Sequence, residues 1–97
     1  MDLEEFRASL SGTAPPPGLG SALRALWRDA QGDWDRAHEL SNDAGVAGDW
    51  VHAYLHRKEG DLSNADYWYR RAGRERPDLS LEQEWAAIAR ELLASDD

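Results

Sequence analysis

Residues 32–40 of this 97-residue chain, Gly-Asp-Trp-Asp-Arg-Ala-His-Glu-Leu, return 28 positions later as Gly-Asp-Leu-Ser-Asn-Ala-Asp-Tyr-Trp at 60–68. The two stretches share Gly-Asp, a large apolar residue (Trp34, Leu62), an alanine (Ala37, Ala65) and a second large apolar residue (Leu40, Trp68). Upstream, Ala25 falls on Ala53 and Trp27 on Leu55. A repeat of this length specifies a supersecondary unit that buries its apolar face by stacking on its neighbours. Gly-Asp sets the shape of the unit: glycine ends one helix in a left-handed conformation and aspartate caps the next. The alanines let paired helices approach closely, with bulky groups flanking the contact.

Punctuation elsewhere agrees with helices throughout. Leu3, Phe6 and Leu10 fall at helical spacing, so Asp2–Leu10 predicts a short first helix. It stops at Pro15-Pro16-Pro17, which a helix cannot cross, and this linker leaves the first helix loosely held. Gly45 and Gly48 bracket a break, and Gly73 with Pro77 closes the fourth helix. Ser80 and Gln83 form a capping box ahead of a last helix whose Leu81, Trp85, Ile88 and Leu92 share one face. No segment alternates at period two, so no strand is predicted.

The series Gly60, Ala65, Tyr69, Ala72, Pro77 resembles the second helix of the tetratricopeptide repeat (TPR): a turn glycine, an alanine, an aromatic four later, an alanine three later, a closing proline. The first unit shares Gly32, Ala37 and Ala44 but has Ser41 where the aromatic belongs. The helix before Gly60 has Trp50 and Ala53 without a clear Trp-x-x-Leu-Gly, and the period is 28 against about 34 in the family. The resemblance covers residues 19–77, which are equally similar to the related SEL1-like repeats. It implies an all-α, TPR-like antiparallel helix-hairpin array of five to six helices. Residues 1–18 form a short N-terminal helix and proline-rich linker, 19–77 the two hairpins, and 78–97 a capping helix and acidic tail. Terminal helices then cover the exposed edges of the array. The resemblance also implies a protein-protein interaction module, an adaptor or a self-associating domain, whose partners bind the concave surface lined by the first helices.

Composition narrows the function classes. There are no cysteines, which removes disulfides, thiolate nucleophiles and cysteine-based zinc sites. The net charge of −8 argues against nucleic acid. No apolar stretch reaches the roughly 18–20 residues that span a bilayer, and the acidic opening Met1-Asp2-Leu3-Glu4-Glu5 lacks the pattern of a secretory signal. The expectation is a cytoplasmic protein without nucleic-acid or membrane partners, with no cofactor, and able to form a homodimer. Residues 50–76 carry four acids and six bases between two acidic flanks, so the middle either pairs with the ends or receives an acidic peptide. No serine sits in a nucleophile elbow and no phosphate loop is present, so no catalytic residue is assigned.

Two sets of residues are left over for function. Asp49, His52 and His56 make a polar stripe at i, i+3 and i+7. Three readings of it stand: a hydrogen-bonded face tying helices together, a partner-recognition face, or a small-molecule or metal site, the metal held by two imidazoles and a carboxylate. The fourth ligand of such a site is not identified, so no metal ligand is assigned. The second set lies on the helix 62–74, where Leu62, Ala65, Tyr69 and Ala72 turn inward and Ser63, Tyr67, Arg70, Arg71 and Arg74 face away. Tyrosine and arginine together favour interfaces. Asn64 serves either the helix start or a peptide clamp. The partner-binding candidates are therefore His52, His56, Asn64, Tyr67, Arg70 and Arg71, for a protein or acidic peptide.

Overall fold

The computed structural model describes residues 1–95 and is all-helical, with no strand among them. Six α-helices run α1 Leu3–Ala8, α2 Ser21–Ala30, α3 Trp34–Ser41, α4 Gly45–Lys58, α5 Leu62–Arg71 and α6 Leu81–Ser95. A single 3₁₀ turn, Ser9–Ser11, follows α1. The acidic tail expected at Asp96 and Asp97 lies outside the described residues.

The two Gly-Asp turns are built alike. Gly32 and Gly60 take φ +86° and +89°, the left-handed conformation that ends α2 and α4. The following amides close the same motif, Asp33 to the Arg28 carbonyl at 2.9 Å and Asp61 to the His56 carbonyl at 3.0 Å. Each aspartate then accepts from the amide three residues on, capping α3 and α5. α2–α3 and α4–α5 are thus two successive antiparallel hairpins. Ala25, Ala37, Ala53 and Ala65, the four repeated alanines, are fully buried.

α4 is the centre of the molecule. It packs against α5, α3, α6 and α2, and its residues from Trp50 to His56 are buried without interruption. α6 does not cap an edge of the array, as the repeat suggested; it folds back across α2 and α4 and also meets α1. The Trp85 indole N–H donates to the Leu26 carbonyl at 3.0 Å and fixes that crossing. α6 therefore covers part of α2 and α4, the first helices of the two hairpins, where the resemblance placed the partner surface. α1 is not loosely held either. Phe6 is fully buried and stacks on Trp85 at 5.6 Å, and the Trp27 indole reaches Ser9 Oγ at 3.0 Å.

Two smaller expectations are also corrected. Gly48 does not mark a break but lies inside α4, where an added Cβ would fall 2.4 Å from Ala44 Cβ and 2.6 Å from the Ser41 carbonyl. Its role is close approach, bringing the end of α3 against the start of α4. Leu62 does not point inward; it is the first residue of α5 and is 43% exposed.

Beneath α5 and α6 lies a buried ion pair. The Glu84 side chain is 1% exposed; it accepts from Arg57 Nη1 at 2.7 Å and from the Tyr69 hydroxyl at 2.6 and 2.8 Å. Burial, and then the bond to Glu84, push Tyr69 far above the ordinary tyrosine range, so it stays a neutral donor. Removing one partner of such a group strands the other charge. We expect Glu84→Ala to cost about 3–5 kcal/mol in chemical denaturation, while Glu91→Ala, which breaks an exposed pair with Arg74, costs under about 1 kcal/mol. Equal losses at the two positions would contradict this packing.

Candidate functional site

The chain has three histidines, and the fold gathers all of them. α4 presents His52 and His56 one turn apart. α3 runs alongside and brings His38 over them, on the same face as Trp34 and Ser41 at i−4 and i+3. The position of α3 is set by the Trp34 indole, which donates to the Leu55 carbonyl at 3.0 Å, and by the tight passage at Gly48. From the other side α5 lays Trp68 flat on His52, ring centroids 3.9 Å apart, while Trp34 stacks on His38 at 4.9 Å. The histidine rings themselves lie 4.4, 4.7 and 5.2 Å apart between centroids. The result is a box of three imidazoles walled by two indoles, floored by α4 and flanked by α3 and α5.

Hydrogen bonding sets the protons in this box. The Ser41 hydroxyl donates to the His38 carbonyl at 2.7 Å, so toward His52 Nδ1, 3.1 Å away, its oxygen acts as acceptor. His52 therefore carries its proton on Nδ1 and keeps a lone pair on Nε2. The His56 Nδ1–H donates to Glu59 Oε1 at 2.6 Å, which leaves Nε2 as the nitrogen without a protein partner among the described residues. His38 Nε2 approaches His52 Nε2 to 3.2 Å and supplies the proton between them.

Burial lowers His52 to about 4, with His38, His56 and Arg71 adding repulsion. His38, half-buried, is lowered by the same cause and by His56, against weaker support from Glu59 and Asp35. His38 and His52 are thus both held toward the neutral imidazole, the form that coordinates metal.

The sequence-derived candidates divide between two places. His52 and His56, 3% and 7% exposed, lie in the box and not on an open docking face. Asp49 does not join them: its carboxylate faces Arg71 Nε at 3.6 Å, and His38 takes the third position. Asn64 serves the start of α5, its amide donating to Asp61 Oδ2 at 3.3 Å. Tyr67, Arg70 and Arg71 are exposed on the outer face of α5. Arg71 lies over the Trp68 ring at 4.8 Å and over Tyr67 at 5.9 Å, so Trp68 is sandwiched between a guanidinium and His52. Much of the positive charge in the middle of the chain is met internally, Arg74 by Glu91, Arg76 by Asp66 and Arg57 by Glu84. Arg70 has no side-chain partner among the described residues.

His38, Trp34 and Trp68 escaped the sequence reading. The signal was present in the Trp34-x-x-x-His38-x-x-Ser41 face of α3, but the neighbour of that face depends on interhelical packing. A separate cavity of about 530 Å³ between α1, α2, α4 and α6 is lined by Asp29, Tyr54, Lys58 and Trp85 among others. Its buried acid is already paired, Asp29 with Lys58 at 2.9 Å. Comparison of the chain with protein-family models, curated proteins and solved structures finds no match.

The neutral box makes a prediction for stability. An unfolded His52 binds its proton near pH 6.5 and the folded one only near 4. Between those values the unfolded chain holds more protons, so stability falls as pH is lowered through this window and is unaffected by this group above it. In EDTA, we expect the wild type to lose on the order of 3 kcal/mol more than His52→Asn between pH 7 and 4, measured by urea denaturation. Parallel curves for the two proteins would contradict a buried neutral His52.

Proposed function

We propose that this chain is a protein-interaction module, a short TPR-like array whose docking face is the outer surface of α5. The observation that carries the reading is the direction in which α6 turns. In a longer array the next hairpin would lie against α5; here α6 packs mainly on α4 and α2, touching α5 through Tyr69 and Glu84, and α5 rests chiefly on α4. The uncovered face carries Tyr67, 47% exposed, next to Arg70 and Arg71, with Leu62 exposed at its start. No helix among the described residues is long and apolar enough to cross a membrane.

The chemistry of the face selects that partner. Tyr67 offers a large rigid ring at small entropic cost, and Arg71 is held over it, its Nη1 donating to the Tyr67 hydroxyl at 3.4 Å. Arg70 offers an unpaired cation for a carboxylate. An acidic segment with one apolar side chain matches these groups. Such a segment belongs to another protein or to a second copy, since the chain carries net charge −8.

Tyr67→Ala combined with Arg70→Glu removes the ring and reverses the free charge without touching a buried residue. We expect this variant to fold normally and to weaken binding of a partner recovered by crosslinking, or self-association in sedimentation, by about thirtyfold or more, the loss of one interface hot spot. Recovery of neither partner nor oligomer, or binding indifferent to the variant, would contradict the reading.

A further inference from the structure

The three-histidine box is independent of the α5 docking face, and its ligand is of a different kind. We propose that His38, His52 and His56 bind one divalent transition-metal ion, zinc being the best match, through a ring nitrogen of each.

One nitrogen from each of the three imidazoles lies within 4.8 Å of the other two, and these are all the histidines of the chain. Zinc–imidazole bonds of about 2.0–2.1 Å set tetrahedral ligands about 3.3 Å apart, and His38 Nε2 already stands 3.2 Å from His52 Nε2. His38 is the least buried of the three and lies on the short α3, so the adjustment that draws the set together falls on a side chain with room to move.

Ser41 holds the proton of His52 on Nδ1, and Glu59 holds that of His56 on Nδ1. Both bonds fix the tautomer that leaves Nε2 to donate to a cation. A histidine ligand whose other nitrogen bonds a carboxylate is the usual support of a zinc site, and the His56–Glu59 pair has that form. Metal binding requires only that His38 exchange tautomer, its single ring proton passing from Nε2 to Nδ1 so that the still-neutral ring offers Nε2 to the ion.

The ligand set selects the ion. Three neutral nitrogens with no carboxylate in the inner set suit zinc, copper or nickel and not magnesium or calcium. Three protein ligands leave a coordination position to be filled from solvent, which is the composition of an exchangeable site and not of a closed structural one. A rival cluster, His56 with Glu59 and Asp61, is mostly exposed, and its Asp61 is occupied in capping α5. It shares His56 alone with the proposed set, so variants separate the two.

The test uses Zn²⁺ alone on the full chain stripped with EDTA. Isothermal titration should give one ion per chain. His38→Gln and His52→Asn should each weaken binding a hundredfold or more, Glu59→Gln about ten- to a hundredfold, and Asp61→Asn not at all. Far-UV circular dichroism establishes that each variant is folded. The wild type also supplies a readout that needs no variant: long-range ¹H–¹⁵N spectra resolve three imidazoles, and Zn²⁺ should shift the ring nitrogens of all three together. Cu²⁺ should quench the part of the fluorescence that arises from Trp34 and Trp68, which lie against the ligands. Absence of Zn²⁺ binding at millimolar concentration would overturn the proposal. So would binding that survives His38→Gln and His52→Asn but disappears with Asp61→Asn, which would place the ion in the exposed acidic cluster.

Discussion

A helix buried on every side has no solvent face on which to leave a polar group, and α4 is such a helix from Trp50 to His56. Four other helices pack on it, so each polar residue it carries must find a partner inside the protein or lose its hydration uncompensated. The fold meets that demand at three points around the helix. Arg57 goes to Glu84 of α6. Lys58, near the exposed end, reaches the buried Asp29 of α2. His52 and His56 turn toward α3 and α5; Ser41 and His38 of α3 satisfy the first, and Glu59, the residue that ends α4, satisfies the second. The arrangement of the outer helices and the composition of the histidine box are therefore one solution to one constraint.

The indoles make that solution rigid. Trp34 ties α3 to the α4 backbone, Trp85 ties α6 to α2, and Trp27 ties the N-terminal segment to α2. Each buries a large apolar surface while its single N–H finds an acceptor, the condition for placing tryptophan inside a small domain. Trp68 has a different part. It lies between the imidazole of His52 and the guanidinium of Arg71, so one ring forms both a wall of the box and the underside of the exposed α5 face.

Much of this was legible in the sequence, and the boundary of what was legible has a physical cause. Local chemistry could be read directly: the Gly-Asp turns, the repeated alanines, the capping box at Ser80 and Gln83 and the apolar stripe of α6 depend on residues a few positions apart. Relations between elements could not. His52 and His56 were visible as a pair because four residues on a helix share a face, whereas His38 joins them across the α3–α4 turn. Asp49 looked like the third member because it shares their stripe, yet in space it belongs to Arg71. The placement of α6 was misread for the same reason: its amphipathic face shows that it covers something, and only packing shows that it covers α2 and α4. Gly48 was read as a breaker because its neighbours' proximity, which explains the missing side chain, is a tertiary fact.

Three imidazoles converge beneath two indoles on the α3–α5 side of the central helix. Proton–proton Overhauser spectra of the metal-free protein in neutral solution test this convergence without substitution or ligand. The account predicts cross-peaks joining the ring protons of His38, His52 and His56, together with contacts from His52 to Trp68 and from His38 to Trp34, and ring-current shifts on the stacked imidazoles. Three sharp histidine signals at random-coil positions, with no contact to one another or to either indole, would contradict it.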